Sequence, residues 1–98
     1  MSYIAIVGRD VQGEPMDQEA WESFCSDLVQ CFDHDATITG RAWSTEWGGE
    51  ETFAVIGQPV VQPEAIVNLG WVYGQEAVAL GWVDTFDSTR TWKVGELR

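Results

Sequence analysis

Two helix-forming segments, each set between strand-forming segments, constrain the fold of this chain more than any other feature. The first segment, residues 17–33, repeats apolar side chains at helical spacing and so predicts one buried face, made of Trp21, Phe24, Cys25, Leu28 and Phe32. Asp17 is a suitable N-cap for this helix. The second segment, residues 64–73, follows Pro63 and precedes Gly74, residue types that favour helix starts and stops respectively.

Strand-forming patterns occupy most of the remaining sequence, and we place strands at residues 2–11, 36–47, 50–57, 76–84 and 90–96. The resulting order, β-α-β-β-α-β-β, predicts a single α+β domain that spans residues 1–98. We expect a two-layer ferredoxin-like sandwich, in which an antiparallel sheet carries two helices on one face. The last strand would then lie at an edge of the sheet.

The Gly48-Gly49 pair predicts a two-residue turn between the two middle strands. Counting outward from that turn sets the expected pairs: Trp47 with Glu50, Thr45 with Thr52, Trp43 with Ala54 and Arg41 with Ile56. The opposite face would then supply core residues, which are Ile38, Ala42, Ser44, Phe53 and Val55. A slip of one residue would exchange the two faces.

The charge of the chain restricts its partners. Sixteen acidic residues against five basic ones give a net charge of −11 with His34 neutral. Because phosphate backbones and anionic lipids repel such a chain, direct binding to nucleic acid or to a membrane is not expected. The acidity favours a protein partner with a basic surface, such as the nucleic-acid groove of another protein, or else it serves solubility.

The cysteines and the N-terminus predict a cytoplasmic protein. Cys25 and Cys31 lie six residues apart in one predicted helix, which places them on different sides of its axis. They are therefore expected to stay unpaired, as thiols do in a reducing cytosol. We find no secretion signal at the N-terminus and no apolar run long enough to cross a bilayer.

The sequence contains no recognised catalytic signature, and we predict neither enzymatic activity nor a cofactor. His34 stands between Asp33 and Asp35, which is more typical of a solvated helix end than of an acid–base centre. Cys25 and His34 would lie about 13 Å apart along the helix, too far to share a metal ion. Carboxylates near the hairpin turn more often protect a strand edge than perform catalysis.

Six tryptophans in a chain of this length supply more aromatic surface than a small core needs. Trp21 and Trp82 fit the predicted core. Trp43 and Trp47 share the other face of the hairpin in the expected register, and exposed aromatic residues are enriched at binding hot spots. We therefore predict a partner-binding site formed by Arg41, Trp43, Glu46, Trp47, Glu50 and Glu51. The alternative is that the terminal strand or a second copy of the chain, in a homodimer, covers these tryptophans.

Two short motifs resemble a known group of proteins. Residues 47–55, Trp-Gly-Gly-Glu-Glu-Thr-Phe-Ala-Val, resemble a W-G-x-E-E-x-x-x-V hairpin. Residues 73–79, Tyr-Gly-Gln-Glu-Ala-Val-Ala, resemble a Y-x-Q-E/D-A/S-I/V-A junction between a helix and a strand. Both are similar to small uncharacterised accessory proteins of bacteriophages, especially phages of actinobacteria. The resemblance implies a phage origin and a host-directed role, and it transfers no catalytic residue.

These observations lead to one functional prediction and two alternatives. We expect a phage accessory protein that acts in the host cytoplasm, where it binds a host protein, for example of a defence system, and inhibits or modulates it. The first alternative is a small enzyme or ligand-binding domain that uses the open face of the sheet. The second is a structural protein that associates with itself.

Overall fold

A computed structural model of the protein describes residues 2–44 and 48–83. These residues form a four-stranded antiparallel sheet that packs against two helices, together with a small two-stranded hairpin. In chain order the elements are β1 (Ser2–Gly8), β2 (Asp10–Val11), β3 (Glu14–Pro15), α1 (Gln18–Gln30), β4 (Phe32–Ser44), β5 (Gly48–Pro59), α2 (Pro63–Val72) and β6 (Ala79–Val83). The predicted α+β class is confirmed. The strand predicted at residues 90–96 lies outside the described residues.

The sheet has the strand order β4-β5-β1-β6, and each neighbouring pair is antiparallel. In the middle of the sheet Ala5 pairs with Val55 on one side and with Leu80 on the other. Opposite residues share a face of the sheet, so alternate residues of three strands are brought onto one surface. Both helices pack on that surface.

The core lies between that surface and the helices. Its buried members are Ala5, Val7, Trp21, Phe24, Leu28, Phe32, Phe53, Val55 and Ile66. The ring of Phe24 stacks on the ring of Tyr73 with 4.6 Å between centroids, which ties α1 to the end of α2. The prediction that Trp82 belongs to the core is wrong. Its strand, β6, is the outermost strand on its side of the described sheet, and Trp82 is 64% exposed.

Helix α1 begins as predicted and ends early. The Asp17 carboxylate accepts a hydrogen bond of 2.8 Å from the Ala20 N–H, which confirms the N-cap. The helix ends at Gln30, and Phe32 is already the first residue of β4. The acidic residues Asp33 and Asp35 explain this end, because negative charge at a helix C-terminus opposes the helix dipole. Phe32 still reaches the core, but it does so from a strand.

The predicted turn at Gly48-Gly49 is wrong. Both glycines belong to β5, where Gly48 pairs with Ser44 and Gly49 pairs with Trp43. Arg41 consequently pairs with Glu51 instead of Ile56. The connection between the two strands falls at residues 45–47, which lie outside the described residues.

A bulge at Asp35 further shifts the register. His34 pairs with Gly57 and Ala36 pairs with Ile56, so Asp35 is the extra residue of β4. The side of β4 that faces the helices therefore changes from even-numbered to odd-numbered residues along the strand. Ile38, which pairs with Ala54, lies on the face away from the helices and is 52% exposed.

The predicted core residues of β4 are therefore wrong. Ile38 and Ala42 do not share a face with Phe53 and Val55, because Phe53 pairs with Thr39. The physical reason is that each strand face depends on counting residues without interruption, and both the turn position and the bulge change that count.

The bulge requires a glycine opposite it. A Cβ atom at Gly57 would overlap the carbonyl oxygen of Asp33 and the Cα atom of His34, which are backbone atoms that cannot rotate away. We expect Gly57→Ala to lower the free energy of unfolding by about 1–3 kcal/mol, the range for overpacked sites. Gly81→Ala is the matched control, since its added methyl group would meet Ile4 Cγ2 at 3.9 Å, an ordinary contact. Urea denaturation of the two variants measures the difference, and equal stabilities would show that the bulge tolerates a side chain.

Candidate functional site

A shallow depression lies where the β2–β3 hairpin meets the paired ends of β4 and β5. We call it the Arg9–Glu51 depression, and it is lined by Arg9, Asp10, Gly13, Pro15, Arg41, Gly49, Glu50 and Glu51. It brings together three of the residues that the sequence predicts to bind a partner, namely Arg41, Glu50 and Glu51. Of the other predicted residues, Glu46 and Trp47 lie outside the described part of the chain. Trp43 is placed by its backbone pairing with Gly49, and its side chain lies outside that part.

Arg9 joins the hairpin to the sheet. Its Nη1 atom lies 2.9 Å from Oε2 of Glu51 and forms an ion pair with it. Its Nε atom donates a hydrogen bond of 2.8 Å to the carbonyl oxygen of Met16. The Arg9 N–H also donates to the Glu51 carbonyl oxygen at 2.9 Å. One arginine therefore fixes both the position of Glu51 and the start of α1 relative to β5.

Glu50 is fixed by a different donor. Its Oε2 atom accepts a hydrogen bond of 2.9 Å from the Asp10 N–H. The carboxylate lies over Gly8, where an added Cβ atom would come within 2.5 Å of Oε2, so a residue without a side chain is needed there. Neighbouring strand residues face opposite sides of a sheet, so Glu50 and Glu51 emerge on different faces. Each carboxylate has its own fixed donor, and they are not arranged as the facing carboxylates of a glycosidase.

Arg41 is exposed and makes no hydrogen bond or ion pair with another described residue. It also contributes to a second shallow depression next to Trp21, Thr39 and Thr52. Within residues 2–44 and 48–83, Arg9 and Arg41 are the two arginines and there is no lysine. Arg41 is therefore the one strong cation in this part of the chain that is free to contact an anionic group.

Most carboxylates on this surface have no cation beside them. Among the described residues, Arg9–Glu51 is the single ion pair. The exposed acidic residues without an ion pair to a described residue are Glu14, Asp17, Glu19, Glu22, Asp33, Asp35, Glu64 and Glu76. The described surface is therefore strongly negative, with a fixed pair of glutamates and one exposed arginine at the Arg9–Glu51 depression.

The two thiols are free and are not activated for nucleophilic attack. Burial raises the pKa of Cys25 to about 11, and the nearby Glu51 carboxylate raises it further, while Arg9 partly offsets both. Burial and the Asp27 carboxylate raise the pKa of Cys31 as well. Since the thiolate is the reactive form, both cysteines behave as parts of the packing.

His34 does not sit at the end of a helix, as the sequence predicts, but in β4, where it is exposed and pairs with Gly57. In the described ranges no group of three or more His, Cys, Asp or Glu residues is arranged to hold a metal ion. These two findings leave the carboxylates and arginines of the Arg9–Glu51 depression as the polar groups with defined geometry.

Tyr73 is a polar contact that sequence reasoning missed. Its hydroxyl donates a hydrogen bond of 2.7 Å to Oδ2 of Asp27, and this bond is the main cause of a raised pKa of Tyr73. Arg9 and Asp10 were also missed, because residues 8–15 look like an ordinary polar turn. The available signal was the scarcity of basic residues, one of which directly follows the first strand.

No protein-family model, no curated protein and no solved structure matches this chain. The resemblance of residues 47–55 and 73–79 to phage accessory proteins therefore stays a prediction. None of the helices in the described residues is long and apolar enough to cross a membrane.

The raised thiol pKa makes stability depend on alkaline pH. The folded protein keeps Cys25 protonated up to a pKa of about 11, whereas the unfolded chain ionises near 9.0. The stabilising contribution is therefore complete below pH 9 and is lost as the pH rises through 11. Tyr73 acts in the same direction because its pKa is also raised.

We expect the free energy of unfolding to fall between pH 9 and pH 11 and to fall less steeply in Cys25→Ala. Urea denaturation at several pH values across this interval measures both slopes. Cys31→Ala is a second variant that reports on the less buried thiol. Parallel slopes for Cys25→Ala and the unaltered protein would show that Cys25 does not carry this linkage.

Proposed function

We propose that this protein is a binding domain without catalytic activity, and that it engages a basic surface on another protein. The observation that carries the proposal is the uncompensated negative charge of the described surface, in which one ion pair accompanies many exposed carboxylates. Such a surface attracts a cationic partner at long range and accelerates association. It also repels nucleic acid and anionic lipid.

The Arg9–Glu51 depression is the best-defined place for that contact. Glu50 is fixed by the Asp10 N–H and Glu51 by the Arg9 guanidinium, so both carboxylates are oriented before a partner arrives. Oriented groups lose less conformational entropy on binding than free side chains do. Both glutamates are half-buried, and each keeps lone pairs that an incoming arginine or lysine can use.

The chemistry of the other polar groups supports binding over catalysis. The thiols are held in their protonated form by burial. Glu50 and Glu51 have separate donors and opposite orientations, which does not suit a general acid and a general base acting on one substrate. An enzyme or ligand-binding domain that uses the open sheet face remains the alternative. On that face the described residues form a shallow apolar depression beside Ile4, Ile6 and Trp82.

The resemblance to phage accessory proteins gives the proposal a biological direction. In this proposal the protein acts in the cytoplasm of the phage host, where it binds a host protein and inhibits or modulates it by occlusion. A basic groove that normally holds nucleic acid is a suitable target, because its cations are already arranged for anionic groups. A defence protein of the host is one such target.

We further infer that the sandwich is of the ferredoxin-like type with an added hairpin. When β2 and β3 are set aside, the remaining elements follow the order β-α-β-β-α-β. The placement of β5 between β1 and β4 supports this inference, since it splits the first β-α-β unit. The β2–β3 hairpin is then an insertion between β1 and α1, and it supplies the rim of the Arg9–Glu51 depression.

Two double variants of equal net charge test the proposed site. Asp10→Asn with Glu50→Gln removes two charges from the Arg9–Glu51 depression while keeping an oxygen acceptor for the Asp10 N–H. Glu64→Gln with Glu76→Gln removes two charges from outside it. With an arginine-rich peptide as the probe, we expect the first variant to bind roughly fivefold more weakly and the second to change little. Equal losses would assign binding to net charge alone, and no peptide binding by the unaltered protein would contradict the proposed function.

The salt dependence of the same complex is a second test. Because screening shortens the reach of exposed charges, the peptide should associate more slowly and more weakly as the ionic strength rises from about 0.05 to 0.5 M. Titrations at several salt concentrations measure the affinity. An affinity that is flat across this range would point to an apolar interface instead.

A further inference from the structure

Strand β4 forms one end of the described sheet and is unusually long and exposed. It contains 13 residues, and its partner on one side is β5. The nine residues from Asp33 to Arg41 are exposed, so neither face of this part of the strand is covered. The outer N–H and C=O groups of such a strand are a template for pairing with another strand.

The bulge divides β4 into two parts. From Ala36 onward the strand pairs regularly with β5, and Thr37, Thr39 and Arg41 share the face that carries Phe53. Because two adjacent residues of a bulge oppose a single partner residue, Asp35 counts onto the same face as Thr37. Regular pairing along the outer edge therefore extends from Asp35 to Arg41.

We propose that β4 pairs antiparallel with β4 of a second copy of this chain, about a two-fold axis at Ile38. Directly opposite residues of an antiparallel pair share a face, so Arg41 lies opposite an odd-numbered residue of the second copy. An opposite charge is favoured at that position and a like charge is disfavoured. Within the regular segment this condition selects Asp35, and it places the axis at Ile38.

The same register matches the remaining side chains of the segment. Ile38, a large apolar residue left 52% exposed in the single chain, meets Ile38 of the second copy. Thr37 lies opposite Thr39 of the second copy, a pairing that is favourable in sheets. Two copies of the Asp35–Arg41 ion pair flank this centre. The one strong cation that is unpaired in the described chain thus gains a carboxylate in the dimer.

The alternative register, with Arg41 opposite Asp33, is less favourable. Asp33 lies beyond the bulge, where the two faces of β4 have exchanged, so it is on the other face of the sheet from Arg41. The Ile38-centred pairing joins two four-stranded sheets into one continuous sheet with the helices of both copies on the same side. This inference does not depend on the proposed binding of a basic partner.

The net charge predicts how this dimer responds to salt. Two chains that each carry a charge of −11 repel each other when ionic strength is low. At about 0.15 M salt the screening length is about 8 Å, so the long-range repulsion is reduced more than the contact between paired side chains. Self-association is therefore expected to strengthen as salt is raised from a low level. A basic partner would show the opposite trend.

Charge reversal and rescue test the register. Sedimentation equilibrium of the full chain is expected to show a dimer, with Asp35→Arg and Arg41→Asp each weakening the dimer about tenfold or more. The variant with both substitutions should recover most of the loss, because the two charges are then exchanged across the interface. Far-UV circular dichroism checks that each variant is folded, as expected for exposed positions. A protein that is monomeric at all concentrations, or a double variant without recovery, would overturn the proposal.

A disulfide tests the position of the axis. In a background of Cys25→Ala and Cys31→Ala, Ile38→Cys should form a covalent dimer on mild oxidation, since directly opposite residues lie within disulfide range. Thr39→Cys is the matched control, because its counterpart would lie about 8 Å away. Equal cross-linking of the two variants would overturn the register. Pairing of β4 with a strand of a different protein would give neither a homodimer nor this cross-link.

Discussion

The pairing of Gly57 with the bulge at Asp35 governs how the hairpin relates to the rest of the molecule. At this point β4 gains one residue relative to β5, and the backbone of Asp33 and His34 approaches Gly57 too closely for any side chain. The extra residue turns Phe32 toward the helices and Ile38 away from them. The composition of both sheet faces along β4 follows from this single irregularity.

A compact core frees much of the chain for its surface. Phe24 and Leu28 of α1 are fully buried against the sheet, and Tyr73 adds a stacked ring and a hydrogen bond between the helices. Half of the hairpin extends beyond this core, which explains why β4 is exposed on both faces. The protein therefore combines a small hydrophobic centre with a polar strand and a negative surface, a combination that suits association with other molecules.

The Arg9–Glu51 depression and the β4 edge are neighbouring features with different physical characters. The depression owes its geometry to fixed hydrogen bonds from Arg9 and the Asp10 N–H, and its net effect is to present oriented carboxylates. The edge owes its character to unpaired backbone groups and to a balanced set of side chains between Asp35 and Arg41. Salt separates the two proposals, because screening weakens attraction to a cation and relieves repulsion between two acidic chains.

The sequence by itself determined the parts of the fold that depend on local signals. Asp17 as the N-cap, Pro63 as the first residue of α2 and Gly74 as its stop were all predicted, because each acts through its own backbone or nearest neighbours. The apolar face of α1 and the central position of β1 also followed from periodicity. The negative charge followed from composition alone, and with it the preference for a basic partner.

Only the tertiary structure decided the register and the candidate site. Whether Ile38 is core or surface depends on a turn position and a bulge several residues away, and strand alternation converts one miscounted residue into an exchanged face. Glu50 and Glu51 were predicted as surface groups near the turn, but their donors, Asp10 and Arg9, are about forty residues away in sequence. Trp82 likewise looks like a core residue until the order of the strands places it at an edge. Contacts of this kind join segments distant in sequence, so they are set by how the whole chain packs and not by any local pattern.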